Sequence, residues 1–194
     1  MATPVLTRAE PLGGARWRLS HFLRGRGGTE HAIASHGANE PFVLLDDRLT
    51  PLDPAIVLSP TAETILALGN DDPEPAVAAL AYPHASLRPL SPVHGRIVRH
   101  ADGSAELSWT RRSRGAWQWL ADVEVPINEP DERYEVTFVD GGGNRTVWVV
   151  SQPSLSLTPS QVQTFESASE PRNFEIRQGG AKAVSFPLSL QFAT

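Results

Sequence analysis

From residue 95 onward, apolar and polar residues alternate in short runs that are separated by explicit turn signals, a period of two that a helix cannot bury on one face. Ala105, Leu107 and Trp109 oppose Glu106, Ser108 and Thr110; Tyr134, Val136 and Phe138 oppose Glu135 and Thr137. Leu155 and Leu157 stand against Ser154, Ser156 and Thr158, and Phe174 and Ile176 repeat the pattern. The reversals are written as Ala101-Asp-Gly103, Asp140-Gly-Gly-Gly-Asn144 and Gln178-Gly-Gly180, where glycine supplies positive φ. With 95–99, 145–151 and 183–192 added, this makes about seven strands in roughly a hundred residues, the number expected of an immunoglobulin-like sandwich. Pro187 inside the last run predicts an edge position or a bulge, because proline cannot donate to a ladder.

The stretch between Thr110 and Tyr134 breaks this rhythm and is long for a plain loop. It carries Arg111, Arg112, Arg114, Trp117 and Trp119, then an acidic run from Glu124 to Glu132. Residues 117–120 and 123–125 are candidates for a small extra hairpin with Trp117 and Trp119 on one face, packed or offered as a stacking platform.

The first half is less regular. Residues 16–24 alternate Trp17, Leu19, His21 and Leu23 and read as a strand; Thr29 is a good N-cap for a short helix to Ser35, which Gly37 stops. Phe42 to Leu45 is a continuous apolar run suited to a buried strand, and 55–58 and 64–68 are shorter candidates. Residues 76–82 fit either strand or helix. Pro83, Pro89 and Pro92 punctuate a connector, which places a boundary near residue 90. The expected fold is all-β: a β-rich segment over 1–90 with one short helix near 29–36, then a sandwich over 91–194.

Several kinds of chemistry are excluded or disfavoured. With no cysteine there is neither disulfide nor thiolate chemistry. Nucleophile-elbow, Walker A, dinucleotide and HExxH patterns are absent, and His31 and His36 fall on different faces of a helix, so neither an enzyme nor a metal or cofactor site is expected. Asp71, Asp72 and Glu74 beside Gly69 read as a solvated turn, and Glu124, Glu129, Asp131 and Glu132 show no fixed separation that glycoside hydrolysis would use. A net charge of −5 argues against nucleic acid as partner. No apolar stretch approaches the ~18 residues that span a bilayer, so membrane insertion is not expected.

Charge is nonetheless blocked along the chain. Residues 1–30 hold five Arg against two Glu, 37–87 one Arg against eight acids, 88–114 six Arg against two acids, and 115–140 one Arg against seven. Such blocks suit either solvated faces or docking into a charged assembly. Arg24 and Arg26 lie among Gly25, Gly27 and Gly28, which turn the backbone into the helix at Thr29; contacts of these arginines to neighbouring carboxylates are expected. Arg24, Arg26, Arg111, Arg112 and Arg114 are thus the candidate interface residues, and Trp117 and Trp119 the candidate surface-recognition residues.

Leu23-Arg-Gly-Arg-Gly-Gly-Thr-Glu30, His36-Gly37, Phe42-Val-Leu-Leu-Asp46, Arg88-Pro-Leu-Ser-Pro-Val-His94, Leu107-Ser-Trp-Thr-Arg-Arg112, the 119–126 stretch with Asp122, Val123 and Val125, and Glu132-Arg-Tyr-Glu-Val136 occur in this order. Together they resemble the C-terminal part of the large tail-tip proteins of siphophages and gene transfer agents, the host-specificity or "megatron" baseplate family related to J-like proteins. The resemblance spans 15–140 by motif and the rest by strand pattern. It implies a virion structural subunit in which a fibronectin type III-like domain follows the end of a tail-hub domain, and it transfers no catalytic residue. The implied partners are other tail-tip proteins: the hub, the remainder of a megatron-like protein and the distal tail protein. The implied location is the phage tail tip, assembled in the bacterial cytoplasm. Family members are far longer and include a TIM-barrel-like region absent here, so a separately encoded piece or a fragment is expected. The alternative expectation is an adhesion or carbohydrate-binding module that recognises a host-surface glycan or receptor.

Overall fold

The computed structural model describes residues 3–26, 28–35, 37–44, 47, 49–50, 64–79, 87–115 and 125–193, with the side chains of 3–7 and 26 excepted. Residues 1–35 and 88–194 make one compact unit and 36–87 a second.

The larger unit contains the sandwich. Its strands are β5 (Val93–Arg99), β6 (Ala105–Thr110), β7 (Tyr134–Val139), β8 (Arg145–Val150), β9 (Ser154–Leu157), β10 (Asn173–Gln178) and β11 (Leu188–Gln191). One sheet runs β5-β6-β9 and the other β11-β10-β7-β8, with antiparallel pairing throughout. First, second and fifth strands facing fourth, third, sixth and seventh is the fibronectin type III-like arrangement. Alternation in the sequence becomes burial: Ala105, Leu107, Trp109, Tyr134, Val136, Phe138, Leu155, Leu157, Phe174 and Ile176 all point into one core. As predicted from Pro187, β11 is an edge strand and begins directly after that proline.

A helix that the strand pattern did not predict closes the core. α1 (Pro159–Glu166) follows β9 after the single residue Thr158 and inserts Val162 and Phe165, the latter stacked on Phe138 at 4.2 Å between centroids. Thr158 starts it as one half of a capping box: Gln161 N–H donates to the Thr158 hydroxyl and the Thr158 N–H to the Gln161 side chain. Arg172, only 5% exposed, fastens its far end by donating to the Glu166 carbonyl and the Glu170 carboxylate.

The same unit holds a two-stranded ribbon, β1 (Thr3–Gly13) with β2 (Arg16–Arg26), each 11 residues long. The predicted strand at 16–24 is therefore the second arm of a hairpin. Its first arm escapes an alternation search because Pro4 and Pro11 interrupt it. Gly14 and Ala15, both at positive φ, form the tight two-residue turn that joins two twisted strands. A 3₁₀ helix, Glu30–Ser35, follows β2 and begins with the Ala32 N–H bonded to the Thr29 carbonyl, so the expected short helix is present in its tighter form.

In the second unit, β3 (Thr64–Ala67) pairs with β4 (Ala76–Ala79), which resolves 76–79 as strand. Asp72 caps their turn by accepting from the Gly69 N–H at 2.8 Å, as a solvated turn requires. Of the buried strand expected at 42–45, the described residues Phe42, Val43 and Leu44 are 54–57% exposed and outside any ladder, because an apolar run becomes a buried strand only where a neighbouring strand and a facing layer accept it. The candidate strand at 55–58 lies outside the described residues.

Candidate functional site

The start of β5, the β6–β7 loop and the β10–β11 loop meet at one end of the sandwich, since Val93 pairs with Thr110 and Tyr134 with Gln178. Of the predicted arginines, Arg111, Arg112 and Arg114 are here, and each takes a different task because successive loop residues point in different directions. Arg111 donates to the Glu132 carboxylate and the Val125 carbonyl, both at 2.8 Å. Arg114 forks onto Glu129 from Nε at 2.9 Å and from a terminal nitrogen at 2.6 Å, with the Glu129 side chain only 4% exposed. Glu129 also accepts from the Ala181 N–H, which joins the β6–β7 loop to the β10–β11 loop. Arg112 reaches out to Glu30 in the 3₁₀ helix at 2.5 Å.

Two further contacts attach the N-terminal segment to this end. Phe186 lies against the His31 ring at 4.1 Å between centroids, with the Arg88 guanidinium 4.4 Å over it. Gly28, at φ +84°, passes so close to Leu90 that a Cβ would stand 2.8 Å from the leucine's Cδ2. Gly25 turns at φ +76° against Ile33 in the same way, so the glycines at 25 and 28 serve the sharp turn expected of them. The ends of a sandwich present the loops that recognition domains use. At this end, part of that surface is occupied by the chain's own 3₁₀ helix.

Arg24 lies over the Phe22 ring at 5.4 Å and forms no ion pair with a described residue, against the expectation of a carboxylate partner; on an exposed ribbon the nearest wide surface is an aromatic face. Arg26 ends β2 opposite Thr3, and its side chain lies outside the described residues. Trp117 and Trp119 also lie outside them.

Beyond the loop end, the ribbon pairs with no further described strand. Ala9 pairs with Leu19 and Pro11 with Trp17, which places apolar positions on one face, while Arg8, Glu10, Arg18 and Phe22 share the other. Trp17 is 58% and Leu23 56% exposed. Alternation locates these residues on a strand; their exposure is a tertiary fact with no local signal. Glu30, His31 and Phe186 carry no signal as contacts, because nothing in the spacing of residues 82 or more positions apart marks them as neighbours.

Tyr134 and Asp140 are among the groups in the sandwich that titrate away from their ordinary values. Burial, and then the hydrogen bond its hydroxyl donates to Glu132 at 2.8 Å, push Tyr134 well above the usual tyrosine range. The Asn144 side-chain amide, helped by the backbone N–H groups of Asn144 and Gly142, holds the Asp140 carboxyl below the usual carboxylate range. Both act within the fold: one beside the Arg111–Glu132 pair, the other in the β7–β8 turn. Among the described residues no group of three or more His, Asp and Glu side chains is placed to hold a metal ion.

A family model described as "Rcc01698-like, C-terminal" matches residues 6–43, which take in most of the ribbon and the 3₁₀ helix. No curated protein matches the chain. Among solved structures, it is similar to the fn3 domain of human collagen alpha-1(XX) chain at 14% identity, over 53% of this chain and 82% of that one, with a TM-score of 0.34. A computationally redesigned β-sandwich protein is 20% identical over 54% of this chain and 93% of that one, with a TM-score of 0.33. Domains d3–d4 of the rat CD45 extracellular region are 11% identical over 96% and 94% of the two chains, with a TM-score of 0.39. Strand order and core carry the assignment: the chain bears an all-β sandwich of the fibronectin type III and immunoglobulin kind.

Proposed function

We propose that this chain is a structural, adhesion-type subunit of a siphophage-like tail tip or baseplate, in which the N-terminal ribbon docks on neighbouring tail-hub proteins and the sandwich faces outward toward the host surface. The observation that carries the reading is the ribbon itself. A two-stranded hairpin is marginal in water without a third layer, yet this one is 11 residues per arm, exposes Trp17 and Leu23, and is tied at its base to the sandwich through Glu30 and His31. Such an element suits a chain that finishes its fold on another protein. The family-model match falls on this segment, and the ordered motifs from Leu23 to Val136 resemble tail-tip proteins. Mass spectrometry of isolated tail tips tests the reading: the chain is expected in fixed ratio to the hub protein, and its absence from intact tips would overturn it.

A second reading, adhesion to a host-surface glycan or receptor by the sandwich alone, is favoured by the sandwich fold and by the tryptophan-bearing β6–β7 loop. Glycan binding lost in Trp117→Ala and Trp119→Ala, by a chain that is absent from tail tips, would select it.

A further inference from the structure

We propose that β8 is a self-association edge, at which two copies of this chain join β8 to β8 antiparallel about a twofold axis, with Arg145 of each copy meeting Glu135 of the other. The four-stranded sheet ends at β8, whose outer edge pairs with no described strand. Natural edge strands are normally blunted by lysine, proline, a bulge or a covering element. The opposite edge follows that rule, since β11 starts after Pro187 and leans on Gly95 of β5, where a Cβ would lie 2.6 Å from Leu190. β8 does not: Arg-Thr-Val-Trp-Val-Val has no proline, glycine or lysine, pairs with β7 without a register shift, and exposes Val147 by 53% and Val149 by 65%.

Charge selects a second copy as the occupant. Arg145, Val147 and Val149 share the outer face of the sheet with Val139, Thr137 and Glu135, their partners on β7. Arg145 and Glu135 are exposed and at opposite ends of this face, and neither forms an ion pair with a described residue. Arg177, opposite Glu135 on β10, turns instead to Glu175 and to the Ser185 carbonyl, each at 3.3 Å. Placing Val147 against Val147 of the second copy puts Arg145 opposite Val149 of that copy. Glu135 is then one strand further, roughly 10 Å across the ladder, within reach of two long side chains on one face. A twofold axis makes this contact twice, and a strand paired antiparallel with itself is self-complementary.

Sedimentation velocity of the full chain over about a hundredfold range of concentration tests the proposal. The expected mass rises from the 21.0 kDa of one chain toward double. Val149→Lys is expected to weaken association by about tenfold or more, Arg145→Glu and Glu135→Arg singly by about tenfold, and the double reversal to recover it. All three substitutions are on exposed positions, and unchanged melting temperatures would show that the variants fold. A monomer at every concentration, a dimer indifferent to Val149→Lys, or a double reversal no better than the singles would each overturn the proposal. Association lost in Trp17→Ser but not in Val149→Lys would assign it to the ribbon instead.

Discussion

Arg112 and Glu30, 82 residues apart, meet at 2.5 Å and tie the loop after β6 to the 3₁₀ helix after β2. Both side chains are partly solvated, 30% and 42% exposed, so the pair contributes location more than energy. A double-mutant cycle with Glu30→Ala and Arg112→Ala is expected to give a coupling of at most about 1 kcal/mol, falling as salt is added. A coupling of several kcal/mol, insensitive to salt, would show the pair to be sheltered.

Glu129 should behave differently. Its side chain is 4% exposed and satisfies both Arg114 and the Ala181 N–H. Glu129→Ala leaves a partly buried guanidinium and a backbone donor without this acceptor, which is expected to cost about 2 kcal/mol by denaturant unfolding. A cost equal to that of Glu30→Ala would mean that water reaches the pair.

Trp109 is 5% exposed and meets Tyr134 edge-on at 5.2 Å. Trp109→Ala is expected to lose ~3–5 kcal/mol, the range for emptying a large aromatic site. Thermal unfolding within a degree or two of the parent would contradict its place in the core.

The glycines of the β7–β8 turn separate two effects. A Cβ on Gly141 would lie 1.9 Å from the Glu170 carbonyl oxygen, and that neighbour is backbone that cannot rotate away. Gly141→Ala is therefore expected to cost about 3 kcal/mol. Gly143, at φ +82° with nothing within 4 Å of the added atom, should lose only the left-handed penalty of about 1 kcal/mol. Equal losses at the two positions would contradict the close approach.

Asp140 sets a pH dependence with a definite sign. Its folded-state carboxyl is held below the ordinary value by Asn144 and the turn amides, so its contribution is complete above the usual carboxylate range of about 3.9 and is lost as pH falls through the depressed value. The gap in melting temperature between the parent and Asp140→Asn is expected to be widest near neutral pH and to shrink in acid. A gap that grows on acidification would reverse the assignment.

These tests fall mainly on the half of the chain where local pattern was informative. Ala105, Leu107 and Trp109 could be assigned to one face because a sheet strand repeats every two residues and each inward position is buried by the facing layer. Where alternation gave way to a helix, the cue was chemical: Thr158-Pro-Ser-Gln161 is a capping box with proline at the first turn, but Thr158 also completes the alternation of β9 and was read with it. The first arm of the ribbon was hidden by its prolines, although Gly13-Gly14 before Arg16 is a hairpin signal. For the loop end, sequence marked the arginines as a group but not their partners, since Glu30, Glu129 and Glu132 become neighbours only after the strands pair.

The most direct test of the ribbon's role is a photo-crosslinking residue placed at Trp17 in the full chain, followed by assembly of particles and mass spectrometry of their tail tips. A crosslink from position 17 to a hub or baseplate protein is expected, together with loss of incorporation when Trp17 and Leu23 are both changed to serine. Tail tips that take up the double-serine chain at the parental level, with no crosslink from position 17 to another protein, would contradict docking through the ribbon.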